Sequence, residues 1–221
     1  LFVLRFEVRA PLELVVDNFA EIEHSCTTHV FLGYDRAGIA ETECLVEYQD
    51  DAIRILNRGP QRQLHGFRLL ERIFGHRDAS LFVGDCRVRF RPISLALENY
   101  WSDRATGERR GEKSLGLAWF NPATPERTDL FFSAFVPRTN SRLTRFLFRT
   151  AGRKLLEYET RRDIRMVEGI ADKDPGVEGM KLSRFDRPLV AIRERLEREY
   201  WRGPRFPAPA PCGASRPPGE A

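Results

Sequence analysis

Short segments in which apolar and polar residues alternate dominate the chain up to residue 137, and this period of two is typical of β-strands. Turn-forming residues separate the segments: an Asp50–Asp51 pair lies in one gap, and glycine or proline occurs in most of the others. Regular short strands at this spacing predict one antiparallel meander and argue against alternating β-α-β units. The predicted strands cover residues 1–10, 41–49, 52–59, 81–90, 94–103, 113–122 and 128–137.

A helical period replaces this alternation near both ends of the chain. The segment 11–25 has a proline in its first turn and repeats apolar residues at helical spacing. A long helix is predicted over 141–171, ending at the sequence DKDPG, and a shorter helix over 187–201. This order of elements predicts an α+β fold, in which a curved antiparallel sheet wraps around the long C-terminal helix and encloses a cavity.

Length and composition fit one globular domain followed by a tail. The chain has 221 residues, of which 42% are hydrophobic, so it can bury a substantial core. We predict a single domain over residues 1–202, in which 60–79 form a loop with a short helix. Proline and alanine dominate from Gly203 onward, and 203–221 is predicted to be a disordered tail.

Charge, apolar runs and cysteines argue against a nucleic-acid-binding protein, a membrane protein and a disulfide-bonded protein. The net charge of +4 comes from arginines interspersed with nearly as many acidic residues, so nucleic-acid binding is not predicted. No apolar run is long enough to span a bilayer and no signal peptide is visible, so we expect a cytoplasmic protein without a membrane partner. Because the sequence opens on Leu1 inside a predicted strand, we expect further sequence upstream. The four cysteines form no CxxC pair and are expected to be reduced thiols: Cys26, Cys44, Cys86 and Cys212.

Two of the four histidines, His24 and His29, lie five residues apart in an acidic segment. On a straight helix this separation turns them about 140° away from each other, so they can share a ligand only if the helix breaks between them. The intervening SCTT is poor helix-forming sequence, which favours one histidine on the last helical turn and one just beyond it. The alternative is a pair of unrelated histidines.

Asp163 is the third candidate ligand, because it lies on the apolar stripe of the predicted long helix. A carboxylate there is costly to bury unless it is paired or coordinated. A salt bridge to Arg161 or Arg162 is the simpler interpretation. Two histidines and one carboxylate nevertheless form the facial triad of non-haem iron(II) sites, and zinc would accept the same ligands. The apolar neighbours of Asp163 at helical spacing are Leu156, Met166, Val167 and Ile170.

The segment DNFAEIEHSCTTH, residues 17–29, resembles the motif N-x-x-D-x-x-H-x-x-x-x-H of Rieske non-haem iron oxygenases, in the spacing of vanillate O-demethylase-like members. Asn18 lies six residues before the first histidine, and the second histidine follows five residues after it. The segment 161–188 resembles the C-terminal segment of that family, where a long helix supplies the third ligand. The resemblance extends over residues 1–201 in the order of the elements.

The resemblance implies a helix-grip domain of the START/Bet v1-like kind, with mononuclear Fe(II) bound by His24, His29 and Asp163. It implies O2 and a small aromatic or apolar substrate that is hydroxylated or oxidatively demethylated, with a spacing that favours a monooxygenase. It also implies a ferredoxin or reductase as electron donor and a homotrimer. The family carries an additional Rieske domain, whose two-iron two-sulfur cluster is bound by a CxH motif and a CxxH motif. This pair of motifs does not occur in the chain, so the cluster is expected on a domain upstream of it.

The chain departs from the motif at Glu21, where the family has an aspartate three residues before the first histidine. Glutamate keeps the acceptor but adds a methylene group, so its hydrogen bond must be aimed differently. Glu21, together with Asn18, is expected to orient a ligand histidine through its second ring nitrogen. The alternative for Glu21 is a solvated position on the helix face.

Two functions of other classes stay open at this point. A non-enzymatic helix-grip module that binds a hydrophobic small molecule would need the cavity but no metal, and a zinc hydrolase would use the same three ligands. Metal content and oxygen dependence separate these alternatives. His65 and His76 have no candidate ligands near them in the sequence, and we assign them no chemistry.

Overall fold

A single seven-stranded antiparallel sheet forms the body of the protein. The computed structural model describes residues 2–29, 33–61, 80–135, 146, 148–179 and 182–201. The predicted tail, His65, His76, Cys212 and all but two residues of the predicted 60–79 loop lie outside these ranges. The strands are β1 (Phe2–Val8), β2 (Glu43–Tyr48), β3 (Ala52–Gly59), β4 (Ser80–Phe90), β5 (Ile93–Asp103), β6 (Arg109–Thr124) and β7 (Arg127–Phe135).

The strand order β1-β7-β6-β5-β4-β3-β2 confirms the predicted meander, because β2 to β7 pair in sequence and only β1 joins out of order, beside β7. Strand β6 begins earlier than the alternation predicts, at Arg109, and pairs with the end of β5 across a register shift between Asn99 and Trp101. The β5–β6 hairpin is therefore longer than the sequence pattern predicts.

The helical regions are divided into more segments than predicted, and two of these segments are π-helical. Helix α1 (Leu12–Ala20) ends before Glu21, whose backbone is extended, so the predicted helix over 11–25 is wrong in its last turn. The chain then forms the short α2 (Ser25–Thr28). Helix α3 (Arg153–Glu168) follows a π-helical turn over Phe148–Gly152, and α4 (Arg187–Arg195) continues into a π-helical segment over Leu196–Trp201. A 3₁₀ turn covers Ile39–Glu41.

The inner face of the sheet packs against α1, α3 and α4. Alternate residues of each strand point to this face, so Ile53, Val88 and Leu95 meet Val15 and Val16 of α1 in one core, and all are nearly inaccessible to solvent. Full burial of side chains of this size contributes about 1.5–3 kcal/mol each. Helix α3 contacts both α1 and β1, which confirms the predicted α+β helix-grip arrangement.

Two sequence predictions on cysteines and membranes can be compared with the described residues. The described cysteines, Cys26, Cys44 and Cys86, are all free thiols. No helix in the described ranges is both long and apolar enough to cross a bilayer.

A buried ion pair joins α1 to α4. The Arg193 guanidinium donates to Asp17 Oδ2 from Nε at 2.7 Å and from Nη2 at 2.6 Å, and both side chains are less than a tenth exposed. Its Nη1 also donates to the carbonyl oxygens of Pro175 and Gly176, at 2.7 and 2.9 Å. Arg193 therefore connects three parts of the chain: α4, the loop after α3, and α1. Helix α1 in turn leads into residues 21–29.

We expect Arg193→Met to lower the free energy of unfolding by about 3–5 kcal/mol, because removing one partner leaves a buried carboxylate and two carbonyl groups without their donor. Denaturant unfolding would measure this change. The matched control is Arg5→Met, since Arg5 is 68% exposed and its pair with Asp129 is at 3.4 Å. The control should cost less than about 1 kcal/mol. Equal losses in the two variants would contradict the assignment of Arg193 as an anchor.

Candidate metal centre

The short helix α2 carries the two histidines at its ends. His24 immediately precedes α2 in helical conformation, and His29 follows it in extended conformation. Their ring centroids lie 5.2 Å apart. The predicted helix break between them is wrong in position, because α1 ends before both residues and the turn at Glu21 redirects the chain. The two rings nevertheless converge, as the metal hypothesis requires.

Asp163 of α3 faces both imidazole rings. Its Oδ1 lies 3.6 Å from His24 Nε2 and 3.4 Å from His29 Nε2. One ligand atom from each of the three residues can be chosen so that all lie within 4.8 Å of one another. The alternative salt bridges are not formed by the nearby arginines, because Arg161 pairs with Glu157 and Arg162 donates to Tyr158.

The buried carboxylate of Asp163 fits a cation. The residue is 6% exposed, and its Oδ1 has no hydrogen-bond partner. Burial raises the pKa of Asp163, while the two imidazoles favour its charged form and lower it. A buried, unsatisfied carboxylate oxygen is costly in an apolar interior, whereas two imidazole nitrogens and one carboxylate are ordinary ligands of Fe(II) or Zn²⁺. The residues present therefore suit the metal implied by the sequence motif.

Glu21 contacts both the backbone and the ring of His24. Its Oε2 accepts from the Glu23 backbone N–H at 2.5 Å, and both carboxylate oxygens lie 3.3 Å from the His24 backbone nitrogen. Its Oε1 contacts His24 Nδ1 directly. Burial opposes the charged imidazolium, but Glu21 and then Asp163 outweigh it, so the pKa of His24 is raised. The Glu21 carboxylate is thus not a solvated side chain on a helix face. It accepts from backbone N–H groups just before α2, and its contact with Nδ1 leaves Nε2 of His24 facing Asp163.

Asn18 lies on the last turn of α1, close to Asp163. The side chain is 5% exposed, and its amide lowers the pKa of Asp163. Neither polar atom of this amide has a hydrogen-bond partner of ordinary geometry. Asn18 thus favours the charged form of the Asp163 carboxylate, and its role toward a ligand histidine stays a prediction.

Glu159 is a residue of the centre that the sequence reasoning missed. Its Oε2 lies 3.0 Å from His29 Nδ1, and the side chain is only 1% exposed. It precedes Asp163 by four residues, so both carboxylates project from the same face of α3. The sequence signal for Glu159 is its spacing from Asp163. Two acidic residues one turn apart on the buried stripe of a helix indicate a polar site there.

The rest of α2 packs on aromatic side chains. Cys26 lies in a buried cluster with Tyr34, Phe82 and Trp101. On the other side, the Thr28 hydroxyl donates to Met166 Sδ of α3 at 3.4 Å. Helix α2 is thus held between the sheet and α3, so the histidines at its ends are fixed relative to Asp163.

Several solved structures share this fold. Dicamba monooxygenase bound to 3,6-dichlorosalicylic acid aligns with a TM-score of 0.67 at 18% identity, covering 89% of this chain and 58% of that one. NdmB of Pseudomonas putida CBB5 aligns with a TM-score of 0.60 at 13% identity, covering 87% and 48%. The NdmA QL mutant from the same organism, with caffeine, gives 0.55 at 14% identity, covering 89% and 49%. At such identities the likeness establishes the fold.

The chain spans 58% or less of the length of these three structures. At the level of sequence, no family model and no curated protein matches the chain.

We expect Glu159→Leu to weaken metal binding by about 10- to 100-fold, because the substitution removes the acceptor that fixes the ring of His29. The dissociation constant for Fe(II) or Co(II), measured by competition with a chelator, checks this. The conservative Glu159→Gln should retain most of the affinity, since its amide oxygen still accepts from Nδ1.

The matched control lies on the same helix. Glu157 is partly exposed and bonds Arg161, so Glu157→Leu should leave the dissociation constant unchanged. If Glu159→Leu and Glu157→Leu bind metal equally well, Glu159 has no positioning role.

Proposed function

We propose that the chain is the catalytic domain of a Rieske-type non-haem iron oxygenase, which hydroxylates or oxidatively demethylates an aromatic or apolar substrate with O2. The observation that carries this proposal is the convergence of His24, His29 and Asp163, three residues that the motif resemblance selects, of which two flank α2 and one lies on α3. Dicamba monooxygenase, one of the solved structures that share the fold, is by its name an oxygenase, which supports the proposal.

Each residue of the centre has a defined part in this function. Glu21 and Glu159 accept the Nδ1 protons of the two histidines, which leaves both Nε2 lone pairs directed inward as ligands. The Asp163 carboxylate supplies the third ligand and compensates part of the cation's charge. Asn18 stabilises the charged form of that carboxylate. When bound, Fe(II) would supply open coordination positions and the redox chemistry that activates O2.

Packing around the histidines favours an apolar substrate. Cys26, Tyr34, Phe82 and Trp101 form a largely apolar cluster directly against α2. An aromatic or aliphatic molecule would lose little on transfer to such surroundings, whereas a strongly hydrated one would lose its water.

The electron supply belongs to the proposal as well. The chain contains no paired CxH and CxxH motifs, and it spans between 48% and 58% of the length of the three solved structures described above. We propose that a two-iron two-sulfur cluster on a Rieske domain, fed by a ferredoxin or reductase, supplies the electrons within a homotrimer. A cytoplasmic location goes with this reductive chemistry.

We expect the purified chain to bind one Fe(II) and His24→Ala to lose it, because the variant lacks one of three ligands. Elemental analysis measures the iron content. Nitric oxide binding, followed by electron paramagnetic resonance, tests for an open position on the ferrous site. His76→Ala is a control matched in residue type and should keep its iron.

Stoichiometric iron in purified His24→Ala would overturn the ligand assignment. Zinc with hydrolytic activity that needs no oxygen would favour the hydrolase. A wild-type chain that binds neither metal, and whose ligand affinity is indifferent to chelators, would favour a binding module without an enzymatic role.

A further inference from the structure

The outward face of helix α3, together with the π-helical turn before it, is strongly basic. Two acids of α3, Glu159 and Asp163, are buried at the candidate metal centre and place no negative group on this face. The basic residues of the segment are instead accessible to solvent. We call them the basic face: Arg149, Arg153, Lys154, Arg161, Arg162 and Arg165.

Most of these charges have no counter-charge within the part of the chain that the structure describes. Arg161 pairs with Glu157 at 2.9 Å, and Glu168 accepts from the backbone N–H of Arg9, so the two remaining acids of α3 are occupied. No ion pair joins the other members of the basic face to a described carboxylate. Arginines of the sheet, such as Arg58, do have acidic partners. The excess of positive charge is therefore a feature of this face.

Helical spacing gathers the charges into one stripe. Arg153, Arg161 and Arg165 are separated by multiples of four residues, so they lie along one ridge of α3. Lys154 and Arg162 lie along the adjacent ridge. At 1.5 Å per residue, the stripe extends about 18 Å from Arg153 to Arg165. A stripe of this length exceeds what a small anion can contact, which indicates a macromolecular partner.

An exposed tyrosine lies in the middle of the stripe. Tyr158 is 45% exposed, and the Arg162 guanidinium lies 5.7 Å from its ring centroid and donates to its hydroxyl at 3.1 Å. Protein interfaces are enriched in arginine and tyrosine and depleted in lysine. The basic face combines this tyrosine with five arginines and one lysine. Its composition thus favours a protein partner with an acidic surface.

The apolar side of α3 is not available to a membrane. Leu156, Ile164 and Val167 pack into the core of the protein. A helix that binds a membrane surface needs a free apolar face beside its basic one, so that the apolar side chains can enter the lipid. Helix α3 therefore does not fit a lipid surface.

The opposite side of α3 carries the residues of the candidate centre. Asp163 faces both histidines, and Glu159 contacts His29. A helix with its side chains is about 10–12 Å across, so a protein docked on the basic face would lie roughly that far from the centre. A partner at this position is well placed to deliver electrons to a bound metal.

We propose that the basic face is the docking surface for an acidic electron carrier, a ferredoxin. Complementary charges steer the encounter, and Tyr158 with its flanking arginines forms the centre of the interface. The role of this partner as electron donor rests on the proposed oxygenase function, whereas the docking itself does not.

The test uses a purified acidic plant-type ferredoxin as the probe. Biolayer interferometry measures the association and dissociation rate constants of the chain, with and without bound iron. We expect the affinity to fall at least about tenfold between about 0.01 M and about 0.15 M salt, because the Debye length shortens from about 30 Å to about 8 Å.

Variants of α3 localise the docking. The triple variant Arg153→Gln, Lys154→Gln and Arg165→Gln should slow association about tenfold at low salt, because it removes three charges that steer the partner. Tyr158→Ala should instead raise the dissociation rate constant about tenfold, since it removes the central contact. All four side chains are exposed, so circular dichroism should show an unchanged fold.

The matched control removes the same number of charges elsewhere. Arg5→Gln, Arg104→Gln and Arg127→Gln change exposed side chains that are 68%, 59% and 44% accessible and lie outside α3. The net charge changes by the same amount as in the α3 variant. Association of this control should stay within about twofold of the parent chain, because steering depends on where the charges lie.

Electron transfer identifies the class of partner. Reduced ferredoxin should pass one electron to Fe(III) in the loaded chain, which yields oxidised ferredoxin and Fe(II). Stopped-flow absorbance follows the loss of the reduced cluster. At low salt the α3 triple variant should slow this reaction about tenfold, whereas the control variant should not.

Each result decides for or against the basic face. The proposal is overturned by absence of saturable binding, by equal slowing in the two triple variants, or by tighter binding of duplex DNA or phosphatidylserine vesicles than of ferredoxin. Self-association that the α3 variant abolishes would also overturn it, because the occupant would be a second copy of the chain. Docking without reduction of Fe(III) would refute the partner's role as electron donor.

Failure of the docking surface can be told apart from failure of the oxygenase. Ferredoxin that docks on the basic face of a chain that takes up no iron would support the surface and refute the oxygenase. A chain that binds iron through His24 but shows no affinity for ferredoxin would keep the oxygenase and refute the surface.

Discussion

The candidate centre depends on hydrogen bonds between imidazole rings and buried carboxylates. A histidine can present either nitrogen to a cation, and the choice is made by the partner of the other nitrogen. Here Glu21 takes Nδ1 of His24 and Glu159 takes Nδ1 of His29, so both Nε2 atoms face Asp163. Without these two acceptors no hydrogen bond to Nδ1 would orient the rings, and both Nε2 atoms would be less firmly directed at Asp163.

The fold supplies the rigidity that this arrangement needs. Helix α1, which leads into the histidine segment, is joined to α4 by the Asp17–Arg193 pair. The Trp201 indole also donates to Glu13 of α1 at 2.6 Å. Residues of the last described helical segment thus brace α1, while Tyr34, Phe82 and Trp101 pack against α2 at Cys26. The centre is held by elements from both halves of the sequence.

The sequence predicted the features that depend on local patterns, and it missed those that depend on tertiary contacts. The alternation of apolar and polar residues predicted every described strand, because a strand that is buried on one face shows this alternation directly in its sequence. The motif selected His24, His29 and Asp163, which the fold brings together. The end of α1 was misplaced, because Glu21 captures backbone N–H groups that an unbroken helix would use differently. Glu159 was missed because its partner His29 lies far away in the sequence.

One consequence concerns chain topology. His29 and Glu159 are 130 positions apart, and the histidines and Asp163 come from opposite ends of the domain. An ion held by these ligands would close a very long loop and act as a cross-link between the first helices and the last long one. Such closure restricts the unfolded chain far more than a local site would. A bound cation would thus stabilise the folded chain whichever reaction it serves.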